Sequence, residues 1–198
     1  MIACGPHRPE LHSGDLLFQV GAQSAMSGAI TAATGDDKPL DFTHVGIAII
    51  RGGADSVLEA TTEGGVRMSS LEDSLRGSAT DSEGHPRVAA MRLRDTAGLA
   101  ASIRRAEALR GLPYDYAFGP DNGEYYCSEL VWECYRTPEG ARRFPARPMN
   151  FRAPDGTMPR FWVELFERLG EPIPEGVPGT NPNDMARDPQ LQAVPGRF

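Results

Sequence analysis

Cys127 stands where a loop rich in helix breakers (Gly119, Pro120, Asn122, Gly123) runs into an apolar-periodic segment. Leu130, Val131, Cys134 and Tyr135 lie three, four, seven and eight residues after Cys127, as one face of a helix requires, so the spacing predicts a buried helix beginning near Cys127. Unpaired backbone N–H groups and the positive end of the macrodipole favour thiolate over thiol in such a first turn, and thiolate is the nucleophile. The competing reading is a small apolar residue in a helix core, the commoner fate of a free cysteine.

A thiolate mechanism needs a base within hydrogen-bond reach and a third group that orients the base. Of four histidines, His7 and His12 fall in a loose N-terminal arm and His85 in a polar loop beside Pro86. His44 alone opens a continuous apolar run, Val45 to Ile50, a rigid mount for an imidazole; its plainer reading is a hydrogen-bonded edge histidine. Glu59, among Val57, Leu58 and Ala60, is costly if it points inward unpaired. A hairpin through Gly52-Gly53, pairing residues near 47 with residues near 57, brings Glu59 across from the His44 end, where a carboxylate could fix the imidazole tautomer. Strand alternation could equally turn Glu59 to solvent.

The elements that must carry these groups read as follows. Leu16–Val20 is a short strand, Ser24–Thr34 a helix with Gly35 as its C-cap, and 35–39 a turn. Residues 42–50 suit a strand buried on both faces, with 56–61 returning antiparallel and Val66–Met68 following another glycine turn. Ser70 caps a short helix through Leu75, and Val88–Leu93 is a further strand. From Thr96 a helix carries the stripe Leu99, Ile103, Ala106 and Leu109, and a last helix carries Phe161, Val163, Leu165, Phe166 and Leu169 up to Gly170. Residues 1–10 read as an arm and 171–198 as a tail that wraps the surface, so 1–198 is expected to be one α+β domain. The loops Asp81–Pro86, Gly119–Tyr125 and Pro138–Pro159 are expected to wall the cleft.

Composition narrows the function classes. Hydrophobic residues make up 40% and charged residues 24%, a globular balance. A formal charge of −7 without a Lys/Arg stripe argues against nucleic acid. Cys4, Cys127 and Cys134 make no disulfide framework: the last two lie two turns apart on one helix, roughly 10 Å by helix rise. No long apolar run predicts membrane insertion, and no leader is visible, so the cytoplasm is expected, export staying open for a trimmed precursor. No Cys-x-x-Cys or His-x-x-x-His spacing suggests a metal, no glycine pair opens a phosphate-binding helix, and no cofactor is expected.

Taken together, "GDLLF" at 14–18, "FTHVGI" at 42–47, "VLEAT" at 57–61, "GLPYDYAF" at 111–118, "YYCSELVWECY" at 125–135 and "GTNPNDMARDPQL" at 179–191 resemble the YiiX-like family. These are circularly permuted relatives of the NlpC-type cysteine peptidases on a papain-like fold. The resemblance spans most of the chain, in order. It implies a single permuted papain-like domain, an antiparallel barrel-like sheet packed against helices. It implies Cys127 as nucleophile, His44 as base and Glu59 as the orienting residue. Tyr114, following Pro113, matches the family's Pro-Tyr position near the oxyanion; Tyr126 and Asp15 are further expected oxyanion or substrate-binding residues. The Cys127 N–H, at a helix start, is the other expected oxyanion donor.

The resemblance thus implies an amide or peptide hydrolase working through an acyl-enzyme, with a peptide or amide-containing small substrate, of cell-wall type in the NlpC enzymes. "YCSE" replaces the NlpC "DCSG", which weakens transfer of that substrate preference. Two alternatives stand beside it: a lipid acyltransferase or phospholipase-like thiol enzyme, and a silent binding module on the same fold. The absence of an apolar hairpin or basic amphipathic helix counts against the lipid reading.

Overall fold

The computed structural model describes residues 7–35 and 41–198. Cys4 and most of the turn expected over 35–39 lie outside the described residues. Elements run in the order β1 (Leu16–Gln19), α1 (Ala25–Thr34), β2 (His44–Arg51), β3 (Ala54–Thr61), β4 (Gly65–Ser70), α2 (Leu71–Arg76), β5 (Val88–Leu93) and α3 (Leu99–Ala108). The second half adds α4 (Cys127–Cys134), β6 (Arg147–Pro148), α5 (Arg160–Leu169), β7 (Pro178–Gly179), α6 (Pro182–Ala186) and β8 (Leu191–Ala193).

Six strands form one antiparallel sheet in the order β4-β3-β2-β1-β5-β8, and β6 pairs with β7 apart from it. Both faces of the central strands are covered. Leu16, Phe18, Val45, Ile47, Ile49, Leu58 and Ala60 point into the larger core, which also holds α4, while Leu17, Ala48, Val57 and Ala90 point into a smaller core beneath Leu71 of α2. This is why residues 45–49 read as a continuous apolar run: a strand with no solvent face has no polar positions to alternate with.

Local chemistry sets the helix ends. Ser24 accepts from the Ser27 N–H and caps α1, and Ser70 accepts from the Asp73 N–H and caps α2. Gly170, at φ 70, closes α5 in the left-handed conformation that glycine tolerates. Two expectations are corrected here. The buried face of α5 is Trp162, Leu165 and Phe166, whereas Val163 and Leu169 are exposed, because one tryptophan offers more apolar area to the core than either. The tail does more than wrap the surface: β8 adds a strand beside β5, and α6 ties distant elements together. The buried Asn183 of α6 accepts from the Phe42 N–H at 2.8 Å and donates to Thr34 Oγ1 at 3.2 Å, joining the end of α1 to the start of β2.

No helix among the described residues is long and apolar enough to cross a membrane.

Candidate active site

The hairpin register decides the first contact. Ile47 pairs with Leu58 and Ala48 with Val57, so Gly46 stands opposite Glu59 and His44 lies two residues further along the same face. Diagonal neighbours of this kind are within reach of long side chains. His44 Nε2 and Glu59 Oε2 are indeed 2.9 Å apart. Gly46 keeps the space between them open: a Cβ there would lie 2.4 Å from Val57 Cγ1 and 3.5 Å from Glu59 Cβ.

Glu59 is 3% exposed, so the solvent-facing alternative does not hold. Its buried charge is heavily hydrogen-bonded. Oε1 accepts from Ser69 Oγ at 2.6 Å, and Oε2 accepts from Ser74 Oγ at 3.1 Å as well as facing His44. Burial raises the pKa of this carboxyl, but the hydrogen bond and charge of His44 and the two serine hydroxyls outweigh it and hold it below its ordinary value. Arg67 of β4, cross-strand from Glu59, adds a guanidinium 3.8 Å from Oε1.

Packing of α4 against β2 and β3 brings the thiol to the histidine. Cys127, His44 and Glu59 line one chamber together, and the thiol acts on the imidazole from close by. Burial disfavours the imidazolium, yet the bonds and charges of Cys127 and Glu59 more than offset this and raise its pKa to about 10. Cys134, the other described cysteine, is wholly buried two turns on, where burial first and the Glu133 charge second push its thiol up to about 12. The two thiols of one helix therefore sit in different surroundings: Cys127 faces the His44 imidazole, whereas burial and Glu133 outweigh Arg105 and Arg136 at Cys134.

Cys127 lies between two open chambers. The first carries polar groups, His44, Glu59, Thr61, Arg67 and Ser74. The second is apolar and aromatic, with Ile30, Phe118, Met149, Phe151 and Trp162 in its wall. Tyr114 borders both. It is buried against Tyr116, ring centroids 5.0 Å apart, and its phenol is held well above its ordinary pKa by burial and then by the Cys127 charge, so it stays protonated and able to donate.

Tyr126 is the N-cap residue of α4 and faces the apolar chamber. Its hydroxyl accepts from the Thr180 N–H at 3.1 Å, and Thr180 Oγ1 lies 3.1 Å from Ser128 Oγ, so the tail is stitched to the first turn of the cysteine helix. Burial and the nearby Glu129 carboxylate raise its phenol pKa too. Gly179 is needed at this crossing, since a Cβ would meet Met149 Sδ at 2.4 Å and Tyr126 Oη at 2.9 Å.

Asp15 is not part of this assembly. Its carboxylate takes both Arg92 Nε at 2.7 Å and Arg92 Nη2 at 2.8 Å, and caps the His12 N–H at 2.8 Å, while lining neither chamber. A buried carboxylate at the start of β1 is satisfied by a bidentate arginine from β5, a framework contact. The expected walls are corrected as well. Of the three loops, only 147–151 contributes; α1, Trp162 and the tail segment 179–182 wall the apolar chamber with it, and the sheet strands and α2 wall much of the polar one. These were hidden because tertiary packing alone brings the tail across the cleft.

Beyond the cleft, Asp81, Glu83 and His85 form a close group of potential metal ligands, and Arg197 lies 3.9 Å from Asp81 and 3.6 Å from Glu83. His85 is part-exposed there, beside both carboxylates, so the loop expected to border the cleft is a surface ion-pair cluster.

Known proteins share this fold. Residues 10–195 match the model of a family described as permuted papain-like amidase enzymes, YaeF/YiiX, C92. The uncharacterized protein YiiX of Escherichia coli strain K12 is 29% identical over 183 residues, 92% of this chain and 85% of that protein. The crystal structure of metalloprotein yiiX from E. coli O157:H7 superposes with a TM-score of 0.71 at 25% identity, covering 94% of this chain and 98% of that one. The chain belongs to the YaeF/YiiX family of permuted papain-like amidases.

Proposed function

We propose that this protein hydrolyses amides through a Cys127–His44–Glu59 triad and an acyl-enzyme. The observation that carries the reading is the position of His44, which lines one chamber with Cys127 and lies 2.9 Å from a buried, fully engaged Glu59. With Nε2 turned to Glu59, Nδ1 is the atom that takes the thiol proton. The thiolate then attacks the amide carbonyl carbon. The developing oxyanion accepts from the Cys127 N–H, which as a first-turn group has no intrahelical partner, and from the Tyr114 hydroxyl. His44 returns its proton to the leaving amine as the C–N bond breaks. Water, deprotonated by His44, attacks the thioester and releases the acid with the free thiol.

The two chambers give the substrate a polar side and an apolar side about the scissile carbonyl. The aromatic chamber favours one second reading, a thiol enzyme that takes an acyl chain from a lipid ester. Turnover of an amide against turnover of the matching ester separates the two.

The first test needs no substrate. Iodoacetamide alkylation of each cysteine, located by mass spectrometry from pH 5 to 9, is expected to modify Cys127 rapidly near pH 6 and to leave Cys134 untouched in the folded protein. His44→Ala is expected to abolish the labelling at pH 6. An inert Cys127, or one indifferent to His44, leaves a binding module on the same fold in place of the enzyme.

A further inference from the structure

Gln19, Ser69 and Ser74 come from β1, β4 and α2, and none was singled out by the sequence. All three converge behind the Glu59 carboxylate. Gln19 Nε2 donates to Ser74 Oγ at 2.9 Å, Ser74 Oγ donates to Glu59 Oε2 at 3.1 Å, and Ser69 Oγ donates to Glu59 Oε1 at 2.6 Å. Gln19 and Ser74 are buried and Gln19 is the cross-strand partner of His44.

The direction of the chain follows from valence. An ionised Glu59 only accepts, so Ser74 must spend its single hydroxyl hydrogen on it. The Ser74 oxygen is then left as an acceptor, and it needs a donor, which only the amide nitrogen of Gln19 can supply. One arrangement of the Gln19 amide satisfies the chain and the other breaks it. With Ser69 on the second oxygen, the carboxylate is held at both ends and its plane cannot turn away from His44.

We infer that Ser74, backed by Gln19, and Ser69 are positioning residues that lock the Glu59 carboxylate, in its charged form, against His44. This rests on the functional reading above and extends it from the triad to the elements behind it. It also gives α2 a purpose. The helix is only six residues long, yet its Ser70 cap fixes the turn that delivers Ser74 to Glu59. The other charged groups facing the pair are Cys127 from α4, Arg67 from β4 and, in the same chamber, Asp73 of α2, already paired with Arg76, and the exposed Glu63.

The test is the titration of the His44 imidazole by NMR, together with Cys127 alkylation by iodoacetamide, in Ser74→Ala, Ser69→Ala, Ser69→Thr and Gln19→Met. Removing a donor from a buried carboxylate weakens its charged form and, through it, the imidazolium. Ser74→Ala and Ser69→Ala are each expected to lower the His44 pKa by about one unit and to shift the alkaline limb of Cys127 alkylation down by about the same amount. Ser69→Thr, which keeps the hydroxyl in a strand, is expected to restore both values. Gln19→Met, matched in length but without the donor, is expected to reproduce part of the Ser74→Ala shift.

A merely structural role would lower the melting temperature without moving the titration. Unchanged His44 titration in Ser69→Ala and Gln19→Met, in folded protein, overturns the inference. Should Ser74→Ala fail to fold, the Ser69 pair decides alone. The two readings fail separately: an unreactive wild-type Cys127 sinks the amidase, whereas the His44 titration judges the positioning residues whether or not the thiol reacts.

Discussion

Glu59→Gln is the sharpest perturbation of the triad, because it changes one oxygen to an NH₂ and almost nothing else. In the wild type the carboxylate faces three donors, His44 Nε2 at 2.9 Å, Ser69 Oγ at 2.6 Å and Ser74 Oγ at 3.1 Å. A glutamine has one acceptor oxygen. If it faces Ser69, the NH₂ meets His44, which can accept only by moving its own proton to Nδ1. That is the tautomer that cannot take the thiol proton. If the oxygen faces His44, Ser69 meets a donor and the imidazolium loses its counter-charge. A hydrogen bond to a charged group contributes about 1.5–3 kcal/mol, and an ion pair at 4 Å near a protein surface about 4 kcal/mol. Because the Glu59–His44 contact is both, and some of its strength is offset by desolvation, a net loss of about 3–4 kcal/mol is expected. At about 1.4 kcal/mol per unit this is a fall of roughly two to three units in the His44 pKa, from about 10 toward neutrality.

The assay is the second-order rate of Cys127 alkylation from pH 5 to 9, with the melting temperature of each variant as the control for folding. The alkaline limb set by His44, which lies near pH 10 in the wild type, is expected to move toward neutrality in Glu59→Gln. Stability carries an independent sign. Glu59 has a depressed pKa in the fold, so its stabilisation is complete above its unfolded value of about 4.5 and is lost as pH falls through the lower folded value. The stability gap between wild type and Glu59→Gln should therefore be widest at neutral pH and close in acid. Alkylation rates for Glu59→Gln that superimpose on the wild type at every pH, in a protein that melts cooperatively, would refute the reasoning.

Two further outcomes follow from the same contacts. Glu129 is held in the first turn of α4, where it accepts from the Tyr126 N–H, and burial with the neighbouring Asp115 charge pushes its carboxyl up to about 8. A raised folded value contributes stability that is present below about pH 4.5 and is lost as pH rises through 8, so Glu129→Gln, which keeps the acceptor, is expected to flatten the decline of melting temperature between pH 6 and 9. Gly46→Ala drives a Cβ to 2.4 Å from Val57 Cγ1 and is expected to destabilise by about 1–3 kcal/mol through overpacking, measured by urea unfolding. Val57→Ala removes that methyl, so the double variant should be more stable than the sum of the two single losses predicts.

The sequence by itself determined the parts whose signal is local. The breaker loop before Leu130, Val131 and Cys134 marked the start of α4, and the glycine hairpin at 52–53 set the register that brings Glu59 to His44, because strand pairing follows turn geometry. The family likeness over six short motifs then joined Cys127 to that pair, a contact that no local pattern encodes. Only the tertiary structure decided the rest. Asp15 shares its motif with a strand of the site, yet Arg92, 77 residues away, claims its carboxylate. Gln19, Ser69 and Ser74 are ordinary polar residues in sequence, and their meaning lies in three hydrogen bonds that form once β1, β4 and α2 are assembled around β3. The tail from 171 looked like loop chemistry because its elements are two to five residues long, too short for periodicity to show; it becomes a wall of the cleft through Thr180 and a strand of the sheet through Leu191. The proposed nucleophile and base are written in short-range pattern, whereas what holds the proposed third residue and what shapes the chambers depends on which distant backbone arrives beside them.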